Sequence, residues 1–447
     1  MRLKRGDAAY EQARRGAVWN GRTPDRFPDV IVQAETLADV VTAVRDAAAS
    51  GMRIGIRSGG HSWAGNHVRE GGLLLDVSRL DQLEIDRSAM TAVVGPGCRG
   101  IAGKLAEHGL FFPGGHDLDV GAGGYLLQGG FGWNGRVHGP ACMSVDAIDV
   151  VTADGELVHA DEHNHSDLLW AARGAGPGFF GVVVAFHVRL YRAPAYIASS
   201  LLRFPFEVAD EVFSWVDDVT PTLAREVELS LFVHRAESGD PEITVTAPAL
   251  VNSAEEAAEA LAFIASCPLL EKALEVVPNQ PASLSDLYAG VGGLYPTGAR
   301  YAADNMWTHA PASDLLPGIR AIAESLPPFP SAMMWNHWGG EWPPRPSMAF
   351  SVEDKTYLAV YGVWEDPADD ARYASWPEER MQAMAHLSTG IQLADENLGR
   401  RPARFISEDN LHRLDAIRER YDPKGLFHSY MGRLPSPSEP LGQPSGT

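Results

Sequence analysis

Three glycine-rich stretches crowd the first half of the chain: Ser58-Gly-Gly-His61, Val120-Gly-Ala-Gly-Gly124 running on to Gly129-Gly-Phe-Gly132, and Arg173-Gly-Ala-Gly-Pro-Gly178. Glycine tolerates positive φ and lets the backbone approach a ligand closely, so successive N–H groups can converge on an anion. Three such loops make a dinucleotide pyrophosphate a plausible ligand. The chain carries no Gly-x-x-x-x-Gly-Lys-Ser/Thr motif, and no Gly-x-Gly-x-x-Gly follows a strand near its start, which disfavours a P-loop or Rossmann domain.

The surrounding pattern alternates helices and strands. Thr36-Leu-Ala-Asp39 reads as a capping box, with Leu37, Val40, Val41, Val44 and Ala48 at helical spacing and Gly51 as the stop. Arg53–Arg57 reads as a strand emptying into the first glycine loop. Strands are also expected at 73–77, 92–94 and 181–190, with a hairpin from 147–152 to 156–159. Past residue 195 the pattern changes to longer strands, such as 228–233 and 242–246, with helices expected at 254–265 and 367–389. Leu411, Leu414, Ile417 and Tyr421 then mark a last helix, stopped at Asp422-Pro423.

Composition narrows the partners. Acidic residues number 58 against 37 basic ones, and the net charge of -21 would repel a phosphate backbone, so neither nucleic acid nor an acidic membrane is an expected partner. No apolar run is long enough to span a bilayer, and no apolar signal segment follows the basic N-terminus, so a cytoplasmic location is expected. Cys98, Cys142 and Cys267 lie far apart with no Cys-x-x-Cys, which argues for buried thiols and against a disulfide framework or a metal site.

Taken together, Arg57-Ser-Gly-Gly-His-Ser62, the two linked glycine runs at 120–132, Val150-Val-Thr-Ala-Asp-Gly155, Phe180-Gly-Val-Val183 and Tyr421-Asp-Pro423 resemble the vanillyl-alcohol oxidase superfamily, most closely its berberine-bridge-enzyme-like FAD-linked oxidases. The resemblance spans about residues 25–195 and 405–430. It implies an α+β fold: a two-lobed PCMH-type FAD-binding domain (1–195 with 400–434) and an inserted α+β substrate domain (196–399) whose antiparallel sheet is covered by helices. The Pro- and Ser-rich residues 435–447 are expected to be a disordered tail.

The resemblance further implies that His61 bonds the 8α carbon of FAD. Arg57, Ser58, Gly59, Gly60, Ser62, Val120, Gly121, Gly123, Gly124, Gly129, Gly130, Gly181 and Val182 would complete the cofactor site. Many relatives add a cysteine bond to flavin C6; Asp117 stands at that position here, so one covalent link is expected and Asp117 falls beside the substrate. Ala122 occupies the place where small residues admit dioxygen, which favours an oxidase.

Two strands are expected to roof the flavin, 331–338 and 355–363. Side chains alternate along a strand, so Trp335 and His337 share one face and Tyr357 and Tyr361 another; either pair could face the ring. Alcohol-oxidising relatives carry a Tyr-x-Asn base, but this chain has Phe405 there, which leaves His337, Tyr357, Tyr361 or Tyr125 as the candidate base. The expected reaction is hydride transfer from a small organic substrate (an alcohol, an amine or a secondary metabolite) to flavin N5, with dioxygen reduced to peroxide. A dehydrogenase using another acceptor, or a non-catalytic flavin-binding protein, is the alternative.

Overall fold

The computed structural model describes residues 1–339 and 343–434; the expected tail at 435–447 lies outside the described residues. The capping box forms as the spacing predicts. Asp39 N–H donates to Thr36 Oγ1, the Asp39 carboxylate accepts from Thr36 N–H, and the helix Leu37–Ser50 ends at Gly51 with φ +68°. Its buried Val40, Ala43, Val44 and Ala47 pack on a four-stranded sheet ordered Arg2–Lys4, Val30–Gln33, Leu73–Asp76, Ile54–Arg57. The last three strands are parallel, a pairing that requires crossover connections and leaves loops gathered at one end.

A five-stranded antiparallel sheet packs on the same core, in the order Leu83–Asp86, Thr91–Val94, Val182–Arg189, Val145–Val151, Leu157–Ala160. The third sheet is antiparallel and seven-stranded: Glu275–Ala282, Tyr196–Pro205, Pro241–Val251, Ser230–Arg235, Ala332–His337, Thr356–Trp364, Arg300–Thr308. One face of it buries a second core against the helices Ala209–Val219, Ala312–Ser325 and Trp376–Ala383. The other face roofs the loops of the first lobe.

The architecture is α+β, with mixed helices and sheets as expected, and the details differ in instructive places. The helix anticipated over 254–265 is Ala254–Ala260 followed by a 3₁₀ turn, and that over 367–389 is broken into Asp370–Tyr373, Trp376–Ala383 and flanking turns. Pro377 explains part of the second break, since it cannot continue a preceding helix but suits a first turn. Ile391, Leu393 and Leu398 already belong to the first core, so the chain returns to that lobe before the 399/400 boundary read from sequence. The final helix, Glu408–Tyr421, packs there as well, and Phe427 bridges to Ile54 beside the sheet edge. All three cysteines are free and buried. Among the described residues, no helix is long and apolar enough to cross a membrane.

Candidate functional site

A cavity of about 390 Å³ opens between the glycine loops and the roof sheet. Its floor is made where the strand Ile54–Arg57 ends. Gly59 and Gly121 meet backbone to backbone: a Cβ on Gly121 would lie 2.6 Å from the Gly59 Cα, and one on Gly59 would lie 2.5 Å from the Gly121 nitrogen. Gly123 is similarly tight, because its Cβ would sit 2.8 Å from Ser58 Oγ, which accepts from Gly124 N–H at 3.2 Å. The two loops therefore interlock only if they lack side chains. Arg57 anchors the first of them through a buried ion pair with Asp76 at 2.9 Å, and Arg99 donates to the Gly59 carbonyl at 2.8 Å.

His61 emerges from this bend. Gly60 takes φ +75°, and its carbonyl accepts from Trp19 N–H at 3.0 Å, which brings the Trp19 indole onto the His61 ring at 4.5 Å and 24°. Trp19 stacks in turn on Tyr301 at 4.4 Å. Asn20 ties these parts together: its amide donates to the carbonyls of Trp63 and Tyr301, and its oxygen accepts from Tyr301 N–H. Burial first, then the charge of Arg99, lowers the His61 pKa to about 4, so the imidazole is neutral near pH 7. Its buried Nε2 has no hydrogen-bond partner, and the nearest carboxylate oxygen, on Asp117, is 4.0 Å away.

Most of the residues expected around a cofactor line this cavity: 57–62, Val120, Gly121, Gly123, Gly124, Gly130 and Gly181, as does Asp117, which was expected beside the substrate. Two do not. Val182 points into the core while Gly181 and Val183 face the cavity, a consequence of strand alternation. Gly129 lies behind the wall, against the Phe350 ring. Ala122 is also turned into the first core, so its methyl is not at the cavity surface where a dioxygen path was expected.

The roof resolves the choice between its two faces. Asn336 pairs with Tyr357 and Ala332 with Tyr361, and paired residues share a face. Met334, Asn336, Trp338, Tyr357 and Tyr361 line the cavity. Trp335 and His337 point the other way, Trp335 into the helix-covered core and His337 into a buried niche, so neither lines the cavity. Burial, then the charges of Arg136 and Lys355, pushes the His337 pKa down to about 3. Between its ordinary value of 6.5 and about 3, the unfolded chain binds this proton and the folded chain does not, so stability falls as pH drops through that window. His337→Leu is expected to narrow the gap in melting temperature between pH 7.5 and pH 5 and to leave turnover unchanged; calorimetry at the two pH values checks it. Lost turnover would restore His337 as a base.

Tyr125 lines the cavity, but its hydroxyl donates to the Pro113 carbonyl at 2.5 Å and burial raises its pKa well above 10. It is a brace for the loops and a poor proton acceptor. Phe405 packs on Tyr430 at 4.3 Å inside the first core, away from the cavity.

The residue that sequence reasoning missed is Asp395. Its Oδ2 accepts from Tyr357 at 2.5 Å and from Tyr361 at 2.8 Å, and its Oδ1 accepts from Trp63 Nε1 at 2.7 Å. Burial, then the Asp395 charge, raises both tyrosines well above 10, so they remain protonated donors. The turn carrying Asp395 is fixed by Asn305, whose amide donates to the carbonyls of Gln392 and Asp395 and whose oxygen accepts from Gln392 N–H. Farther along the wall, Glu228 and His116 form a second polar pair at 2.5 Å, with the His116 ring edge-on to Trp133. Burial lowers the His116 pKa, but the Glu228 carboxylate outweighs it and the net shift is upward. No periodic signal marks Asp395 or Glu228; only Trp63, two residues past His61, could have been found by its place in the loop.

An unpartnered, neutral imidazole at the mouth of a cradle that side chains would fill fits FAD held by His61. The comparisons support FAD as the ligand. Residues 28–161 match the family described as FAD binding domain. The chain is 33% identical to FAD-linked oxidoreductase nodO of Hypoxylon pulicicidum over 441 residues, covering 93% of each. Among solved structures, 6-hydroxy-D-nicotine oxidase from Arthrobacter nicotinovorans superposes with a TM-score of 0.84 at 23% identity, over 98% of both chains. BBE-like 1 of Physcomitrella patens gives 0.82 at 19%, over 96% of both. With a relative of this identity over 93% of both chains and an FAD-binding domain matched, the chain belongs to the FAD-linked oxidoreductases, a family of enzymes.

Proposed function

We propose that this enzyme is an oxidase that carries FAD on His61 through a single 8α bond and oxidises a small organic molecule at a C–H bond next to oxygen or nitrogen. The chemistry that FAD supplies is acceptance of a hydride at N5 and reoxidation by dioxygen, which yields hydrogen peroxide. The protein's part is to hold the substrate, exclude water and receive its proton. The observation that carries this reading is Asp395, a carboxylate in the cavity wall with donors converging on it from Trp63, Tyr357 and Tyr361.

An alcohol that loses hydride must also lose its hydroxyl proton. Asp395 is the acceptor in this reading, either directly or with Tyr357 or Tyr361 passing the proton across an existing hydrogen bond. The aromatic walls, with Trp19, Trp63, Trp307 and Trp338, suit a flat or greasy substrate, and the carboxylates Asp117, Glu228 and Asp395 beside them select against anions.

The test is anaerobic. Mixing the purified enzyme with alcohols, amines and oligosaccharides is expected to bleach the visible flavin band with one class, and admitting air is expected to restore it with one peroxide formed per turnover. Bleaching followed by slow recovery in air would make it a dehydrogenase that uses another acceptor. A flavin that stays oxidised with every class would overturn the reading in favour of a binding protein.

A further inference from the structure

Three adjacent strands of the five-stranded sheet each place one metal-ligating side chain on its outer face. Asp149 sits opposite His159 on one neighbour and opposite Ala185 on the other, and His187 lies two residues beyond Ala185, so all three side chains emerge on the same side. The alternate positions Ile148, Val150 and Phe186 point into the first core. One carboxylate thus faces two imidazoles, with His159 Nδ1 at 2.6 Å from Oδ1 and His187 Nε2 at 3.0 Å from Oδ2. The three ligand atoms lie within 4.8 Å of one another, and the rings stand edge to face at 82°.

We propose that Asp149, His159 and His187 form a binding site for a divalent ion of the zinc class. Two imidazole nitrogens and one carboxylate oxygen are the donors that zinc takes, whereas magnesium and calcium prefer oxygen alone. A fourth position stays open to water. Asp161 supports the site from behind: its Oδ2 lies 3.8 Å from His159 Nε2, the nitrogen that faces away from Asp149, and its Oδ1 is held by the backbone N–H groups of His163 and Asn164. A carboxylate behind a ligating histidine orients the ring and raises its basicity. The adjoining groove, lined by Glu84, Asp86, Asp146 and His187, adds negative charge that attracts a cation to the face. None of the three ligands lines the flavin cavity, so the site is separate from the chemistry and clamps three strands together.

Titration calorimetry of the flavin-loaded enzyme with zinc chloride tests it. One ion per chain is expected, with no comparable heat from magnesium chloride. His159→Ala and His187→Ala should each weaken zinc binding by about tenfold or more. His163→Ala, a change at an exposed neighbouring histidine, should leave it as it was. Should His187→Ala lose its flavin spectrum through misfolding, His159→Ala decides, because that side chain is half exposed. Absence of saturable binding, or an affinity unchanged in the decisive variants, would overturn the site.

Discussion

Asp395→Asn is expected to slow anaerobic flavin reduction by an alcohol substrate by about 100-fold or more, with the flavin still bound, since positioned general bases contribute roughly 10²–10⁴ in rate. The substitution preserves volume and keeps one oxygen able to accept a hydrogen bond, so the cavity wall survives. What is lost is the site for a proton. The geometry makes the loss hard to repair: the three groups already aimed at this carboxylate, Trp63 Nε1 and the two tyrosine hydroxyls, are donors, and burial holds both tyrosines protonated. An asparagine amide turned toward them would meet donor with donor. Stopped-flow reduction at several pH values is the measurement. Tyr357→Phe and Tyr361→Phe separate the routes, because the tyrosine that relays the proton should reproduce most of the Asp395→Asn defect and the other should not. An amine that enters neutral needs no base to give up hydride, so the same variant should reduce normally with such a substrate. A reduction rate equal to the parent's with an alcohol would remove Asp395 from the chemistry.

The contrast between what the sequence revealed and what it hid has a physical cause. The floor of the cavity was legible because its constraint is written in residue type. Gly59, Gly121 and Gly123 are required by contacts that any Cβ would violate, and such residues announce themselves as glycine runs. The capping box of the helix Leu37–Ser50 was legible for the same reason. The roof was not. Arg300–Thr308 is buried along nearly its whole length yet contains Asp304 and Asn305, so its polar residues broke the alternation that marks a half-buried strand. Asp304 is there to pair with the buried Arg401, and Asn305 to hold the Asp395 turn, demands set by partners about 90 residues away. The choice between the Trp335 and Tyr357 faces was undetermined for a related reason. Both strands are buried on both sides, and only the helix layer, unseen in one strand's pattern, decides which side is core.

His61→Ala is expected to abolish acid-stable flavin. After acid precipitation the parent pellet should be yellow, and the variant pellet should be colourless with its colour in the supernatant. The bond needs a nitrogen lone pair that is neutral and not already engaged. His61 satisfies both conditions: its pKa is lowered to about 4, and the buried Nε2 has no competing partner. Its orientation is set by the Trp19 stack, itself pinned by the Gly60 carbonyl and by stacking on Tyr301 of the roof, so the nucleophile is aimed before the cofactor arrives. The interlocked glycine loops that would cradle the pyrophosphate are untouched by the substitution, so the variant should still bind FAD noncovalently. Trp19→Ala makes the complementary case. It leaves the nucleophile in place but frees its ring, and should slow formation of the bond during reconstitution with FAD, giving partial acid-stable colour that increases with time. If the His61→Ala pellet retained its colour, another side chain would have to carry the flavin, and a ring held neutral, unpartnered and stacked would have no chemical reason to be so.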